Sequence, residues 1–256
     1  MLALERQQEI LELLKKKKSV KVEELTEELF VSGATIRRDL RIMESQGLIK
    51  RSHGGAMLFS PAGEESAFAL RENANTSAKK TIALLASGLI KNGQTIFLDS
   101  SSTTGAVIPF LNNFKYLTVT TTGLRNALLL SSTNSVKIYI AGGLIQNHSN
   151  SIMGTDTIEY VSRIHADITL VSCMGIDVNA GFTDSSIEQA KLKQQMRKNS
   201  AELAVLCDSA KFKKIYMCTD FTFDDVDYLV TEKLPPKEIL EALKKSKCKL
   251  ICPEFN

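Results

Sequence analysis

Two periodicities divide the chain. Up to residue 59 the apolar positions recur every three or four residues, as they do along helices with one buried face. Ile10, Leu11 and Leu14 mark a first helix over 3–18, Val22, Leu25 and Leu29 a second, and Ile36, Leu40 and Met43 a third. Only Phe30, Val31 and Ser32 separate the second from the third, which is helix-turn-helix spacing. Ser32 suits the N-cap of the third helix and Gly47 its C′ position. The segments 48–51 and 56–59 then read as strands around the turn Ser52-His53-Gly54-Gly55.

Beyond residue 77 the pattern changes. Helical periodicity through Ile82, Leu85, Ala86 and Leu89 gives way to a strand at 95–98. There follow helix 103–112, strand 117–121, helix 124–131, strand 136–140, helix 155–162, strand 167–171, helix 186–199, strands 202–206 and 227–231, helix 236–245 and strand 248–252. Strands alternating with helices imply a doubly wound, largely parallel α/β sheet. Pro109 should kink or shorten the helix assigned to 103–112. The division is therefore 1–59, a polar linker over 60–76, and 77–256.

The third helix carries the first candidate chemistry. Small or hydroxyl residues at its start (Ser32, Gly33, Ala34, Thr35) allow close approach to a major groove, and Arg37, Arg38 and Arg41 face outward as donors. Paired arginines alone would be an exposed basic face on a helical bundle. A glycine hairpin directly after them makes a winged helix, with Lys50, Arg51, His53 and Gly54 placed to meet the phosphate backbone.

In the second segment polar residues gather where strands end: Asp99 to Thr104, Thr121 to Gly123, Gly142-Gly143, Ser172 to Asp177, and Asp208 to Lys211. Ligands of open α/β sheets bind in the crevice beyond those ends. Asp99, Ser100, Ser101, Ser102, Thr103 and Thr104 offer hydroxyls and amides at a helix N-terminus, a nest suited to phosphate; the plainer reading is a capping loop that binds nothing. No Gly-x-Gly-x-x-Gly or Gly-Lys-Ser/Thr run is present, which disfavours a dinucleotide or ATP. Lys211 follows a strand end and can supply a cation. Glu188 and Lys191 are open to a pocket role, or to a capping box with Ser185 and a surface pair.

Charge confines nucleic-acid binding to a patch. The net formal charge is only +3, from 32 basic and 29 acidic residues, yet residues 30–60 hold five basic residues against two acidic ones. The amphipathic start is not a signal peptide, no stretch reaches the ~20 apolar residues of a membrane span, and the five scattered cysteines lack paired metal-ligand spacing. Reduced cysteines in a cytoplasmic protein without metal or cofactor are expected.

The run 32–40, with Arg6, Ile10 and Leu14 before it and Gln46 to Ala56 after it, resembles the N-terminal domain of DeoR-type bacterial transcriptional repressors. Asp99 to Thr104, Gly142-Gly143 with Gly154, Gly175-Ile176-Asp177, Gly181-Phe182-Thr183, Glu188 with Lys191, and Asp208 to Phe212 look like the effector domain of the same repressors. The resemblance implies a fold related to ribose-5-phosphate isomerase and glucosamine-6-phosphate deaminase. It also implies binding to double-stranded operator DNA, release by a phosphorylated sugar, and assembly as a homodimer or homotetramer. Met174 and Thr122 depart from the pattern beside the expected pocket, so no relative's sugar carries over. An isomerase or deaminase with an appended DNA-binding domain is the alternative, with Asp177, Glu188 and Lys211 as proton-transfer groups. Repressor and activator require the same DNA contacts.

Overall fold

The structure, a computed structural model, describes residues 2–45, 48–52, 54–58, 68–133 and 136–253. It falls into two compact units, Met1–Arg71 and Glu72–Asn256.

In the first unit, helices α1 (Ala3–Lys17), α2 (Val22–Leu29) and α3 (Gly33–Ser45) pack around Ile10, Leu14, Leu25, Leu29, Ile36, Leu40 and Met43, all buried. The turn between α2 and α3 is closed by Phe30 at φ 53°, in left-handed backbone that a bulky residue adopts at a cost. A strand absent from the sequence expectation, β1 (Ser19–Lys21), pairs with β3 (Gly55–Leu58), which pairs in turn with β2 (Ile49–Ser52). Ser52 opposes Gly55, leaving a two-residue loop in which Gly54 takes φ +82°. At Gly55 an added Cβ would stand 2.5 Å from the Val20 carbonyl oxygen, so β1 and the wing approach too closely for any side chain. His53, Gln46 and Gly47 lie outside the described residues, and with them the expected C′ glycine; Leu48 N–H bonds to the Met43 carbonyl at 2.9 Å. Within the stretch expected as linker, Phe68–Asn73 forms a short helix, α4.

In the second unit the chain runs through α5 (Thr76–Ser87), β4 (Thr95–Leu98), α6 (Ser102–Gly105), β5 (Leu117–Thr121), α7 (Leu124–Leu130), β6 (Val136–Ile140), β7 (Leu144–Gln146), β8 (Ser151–Met153), α8 (Thr155–Ser162) and β9 (Ala166–Val171). It continues through β10 (Gly175–Asp177), β11 (Gly181–Asp184), α9 (Ile187–Lys198), β12 (Ser200–Leu206), β13 (Cys218–Phe221), β14 (Tyr228–Val230), α10 (Lys237–Lys244) and β15 (Lys249–Ile251). Seven strands form one sheet in the order β15-β14-β12-β9-β4-β5-β6, every pair parallel. Alternation along β4 explains the layering: Ile96 and Leu98 face the core under α5 and α7, while Phe97 faces the one under α8, α9 and α10. The expected helix 103–112 is two pieces, α6 and a 3-10 turn over Ile108–Asn113. Pro109 near the start of that turn cannot supply the amide a continuous helix needs. Five short strands went unexpected: β7 pairs with β8, and β10, β11 and β13 form a small antiparallel sheet.

Candidate DNA-binding face and ligand crevice

On α3 the 3.6-residue period separates two roles. Ile36, Asp39, Leu40 and Met43 are buried, whereas Ser32, Ala34, Arg37, Arg38 and Arg41 are exposed and Thr35 half-buried. Ser32 Oγ accepts from the Thr35 amide at 3.3 Å, the N-cap expected from sequence. Asp39 is turned inward, where its Oδ2 accepts from Arg6 Nε at 2.5 Å. Hydrogen bonding to Asp39 raises the Arg6 pKa against the opposing effect of burial. That pair anchors α3 to α1 and leaves the outward face cationic. Lys50 and Arg51 on β2 are exposed; the Arg51 amide bonds to Glu44 at 3.0 Å, joining the wing to α3.

The crevice of the second unit opens where β4 and β9 end side by side while their connections leave in opposite directions. Asp99, buried at the tip of β4, organises it: Oδ1 accepts from the Ser101 amide at 2.9 Å and Thr104 Oγ1 at 2.7 Å, and Oδ2 from the Ser172 amide at 2.9 Å. Ser101 caps α6 through the Thr104 amide. The amides of Ser102 and Thr103, in the first turn of α6, have no acceptor within the helix. Ser100 Oγ accepts from Ser151 Oγ at 2.6 Å, and Ser151 accepts from Gln189 Nε2 at 2.9 Å. Asn126 Nδ2 holds the carbonyls of Asp99 and Ser101.

Lys211 reaches the same place, its Nζ 2.9 Å from Ser172 Oγ and 3.9 Å from Asp208 Oδ2. Asp99, Ser101, Thr104 and Lys211 thus share one hydrogen-bonded cluster through Ser172, while Ser100 joins a second chain through Ser151 and Gln189. The other sequence candidates are engaged elsewhere. Gly142 accepts from Thr157 Oγ1 at 2.8 Å, and at Gly143 (φ +146°) a Cβ would meet that hydroxyl at 2.1 Å, so both serve the packing of α8. Asp177 Oδ1 caps the β10–β11 turn through the amides of Asn179 and Ala180. Glu188 and Lys191 are exposed on α9. The N-cap there is Ser186 rather than Ser185, because Ser186 Oγ is the hydroxyl that meets the Gln189 amide. Its own backbone amide, then Ser186, holds the Glu188 carboxyl below the usual range.

Sequence reasoning passed over the buried cation of this helix. Lys193 Nζ donates to the Ser172 carbonyl at 2.6 Å, Asp184 Oδ2 at 2.5 Å and Asp220 Oδ2 at 3.2 Å. Burial works against its charge, yet Asp184, Asp220 and Asp99 together keep its pKa well above the ordinary lysine value. Burial pushes the Asp220 carboxyl up to about 7, against the pull of Lys193. The legible signal was Lys193 midway between Ala190 and Met196 on the buried stripe of α9.

Among the described residues no cluster of three or more His, Cys, Asp and Glu could hold a metal, the five cysteines are free, and no helix is long and apolar enough to cross a membrane. The DeoR-like helix-turn-helix domain matches residues 6–62, and the DeoR C terminal sensor domain matches residues 74–233. The chain is 35% identical over 232 residues to the HTH-type transcriptional regulator GolR of Listeria innocua, covering 91% of each. It is 31% identical over 234 residues to the glycerol-3-phosphate regulon repressor of Escherichia coli, covering 91% of this chain and 92% of that one. Among solved structures, ribose 5-phosphate isomerase a from Methanocaldococcus jannaschii matches 54% of this chain and 55% of its own, at 16% identity and a TM-score of 0.40. Two family domains in succession, and relatives aligned over nine-tenths of the chain, establish that it belongs to the DeoR family and is a DNA-binding transcriptional regulator.

Proposed function

We propose that the chain represses a carbohydrate-metabolism operon in the cytoplasm, as a homodimer or a higher two-fold assembly, and is released from its operator by a phosphorylated sugar. The observation that carries this reading is the join of the Asp99–Thr104 loop to Lys211 through Ser172, which supplies amides, hydroxyls and a cation on one side of the crevice. Phosphate is the ligand group that uses all three. Sensing is favoured over turnover by the positions of the two carboxylate candidates: Asp177 is committed to a hairpin turn and Glu188 to the start of α9. A ligand shifts operator affinity only as far as its own affinity differs between the free and DNA-bound states.

The test is a panel of sugar phosphates and matching free sugars. At least one phosphate should raise the melting temperature and dissociate the operator complex, while its free sugar does neither and the compound is recovered unchanged. Turnover abolished by Glu188→Gln would establish the enzyme instead. On the DNA side, Arg37→Ala and Arg38→Ala should each cost ~1–3 kcal/mol of discrimination between operator and random DNA if they read bases. Unchanged operator affinity in both variants would refute the assignment of α3.

A further inference from the structure

The parallel sheet ends at β6, and that edge is unusually apolar. Six large side chains between residues 128 and 145 are exposed by 36% to 71%: Leu128 and Leu129 on α7, Tyr139 and Ile140 on β6, and Leu144 and Ile145 on β7. Their elements are neighbours, since α7 packs on β6 and three residues join β6 to β7, and alternation sets Tyr139 and Ile140 on the two faces of that edge. A free strand edge with exposed aliphatic side chains is what folded proteins ordinarily cover or interrupt with charge. Lys137 is the one charged side chain on β6, and its Nζ lies 5.2 Å over the Tyr139 ring rather than standing clear of the edge.

From this edge we infer that a second copy of the chain docks on β6 and the β7–β8 hairpin. Two features select a second copy. The first is area: five of the six are aliphatic and smaller than an aromatic ring, so at these exposures they present roughly 400 Å² per chain. That is about half of the ~800 Å² each partner of a standard interface buries, the remainder falling to the backbone of β6 and the hairpin. The second is self-complementarity. In an antiparallel pairing about a two-fold axis at Ile138, the middle residue of β6, Lys137 of each copy falls opposite Tyr139 of the other. The cation–π contact already present within the strand is then repeated across the axis. The hairpin also carries Ser151, which donates to Ser100, so interface and ligand crevice share an element.

This rests on the reading of the chain as a two-fold operator-binding regulator, and the experiment separates the two claims. Sedimentation velocity at about ten micromolar on the full chain, without DNA, compares wild type with Ile140→Glu and with Leu144→Glu. Leu144 is 71% exposed, so its replacement leaves the fold of one chain intact and carries the test even if Ile140→Glu loses its far-UV circular dichroism. A charge buried within the interface should weaken association ~30-fold or more. Wild type should sediment at a multiple of the chain mass and Leu144→Glu at half that or less. A monomeric wild type, or a Leu144→Glu variant with wild-type assembly, overturns the interface. A wild-type assembly that dissociates as expected but ignores operator DNA leaves the interface standing and refutes the regulator reading.

Discussion

Replacing Asp220 with Asn should abolish a pH dependence of stability that the buried cluster imposes on the sensor unit. Asp220 is 2% exposed; its Oδ2 shares Lys193 with Asp184, and its Oδ1 has no hydrogen-bond partner. Desolvation, set against Lys193, raises its pKa from 3.8 to about 7. A carboxyl with a raised folded-state pKa holds its proton more tightly when folded. The stability this contributes is fully present below pH 3.8 and is lost as pH rises through about 7. At about 1.4 kcal/mol per pH unit, the stretch from pH 5 to 8 is worth on the order of 3 kcal/mol, which for a unit of this size is roughly 6–12 °C in melting temperature. Asn mimics the protonated carboxyl at every pH. Calorimetry from pH 5 to 8, resolving the sensor transition, should show the wild-type midpoint falling and that of Asp220→Asn nearly level. A variant with the wild-type slope would show that Asp220 is ionised throughout and that the proposed cost of burying it is absent.

Lys193→Met should destabilise the sensor unit by ~3–5 kcal/mol in denaturant titrations, because Asp184, Asp220 and the Ser172 carbonyl are left buried without their cation. Gly55→Val should unfold the wing and eliminate operator binding in mobility-shift assays, since its Cβ meets the Val20 carbonyl. Gly54→Ala, where nothing stands within 4 Å, should cost only the ~1–2 kcal/mol of left-handed backbone and leave binding measurable. Thr104→Val removes the hydroxyl bonded to Asp99 Oδ1 at 2.7 Å, so chemical denaturation should show a loss of ~1–3 kcal/mol, and calorimetric titration weaker binding of the sugar phosphate.

The elements legible in the sequence were those whose burial is one-sided or complete. The stripe Ile36, Leu40, Met43 declared α3 and its outward arginines, and the apolar runs at 95–98, 167–171 and 202–206 declared strands covered on both faces. Strands β1, β7, β8, β10, β11 and β13 each put a Gly, Ser, Thr, Gln, Asp or Lys among three or four residues and fall outside the strand–helix alternation, so neither an apolar run nor a period registers. The ligand crevice was legible as a place, because strand ends collect polar residues, but not as a network. Lys193 and Asp220 are 27 residues apart, Asp99 and Ser172 are 73 apart, and a lysine on a helix reads as solvated until its partners are located. Glu188 and Lys191 were attractive because they are charged; the residues one and two positions further on, Gln189 and Lys193, are the ones buried.

The strand order has a consequence for how the sensor is made. Taken in order of synthesis, β5 pairs with β4, β6 with β5, β9 with β4, β12 with β9, β14 with β12 and β15 with β14. Each strand adds to an edge already present, and none is inserted between two earlier ones. The sheet can therefore grow outward in both directions as the chain leaves the ribosome, at ~5–20 residues per second, without reopening a completed pair. The Asp99–Thr104 loop is translated early, but Asp99 gains the Ser172 amide only after β9 has docked, and Lys211 arrives only after β12. A truncated second unit would keep a sheet and lose its crevice, while the winged helix ahead of it was already complete.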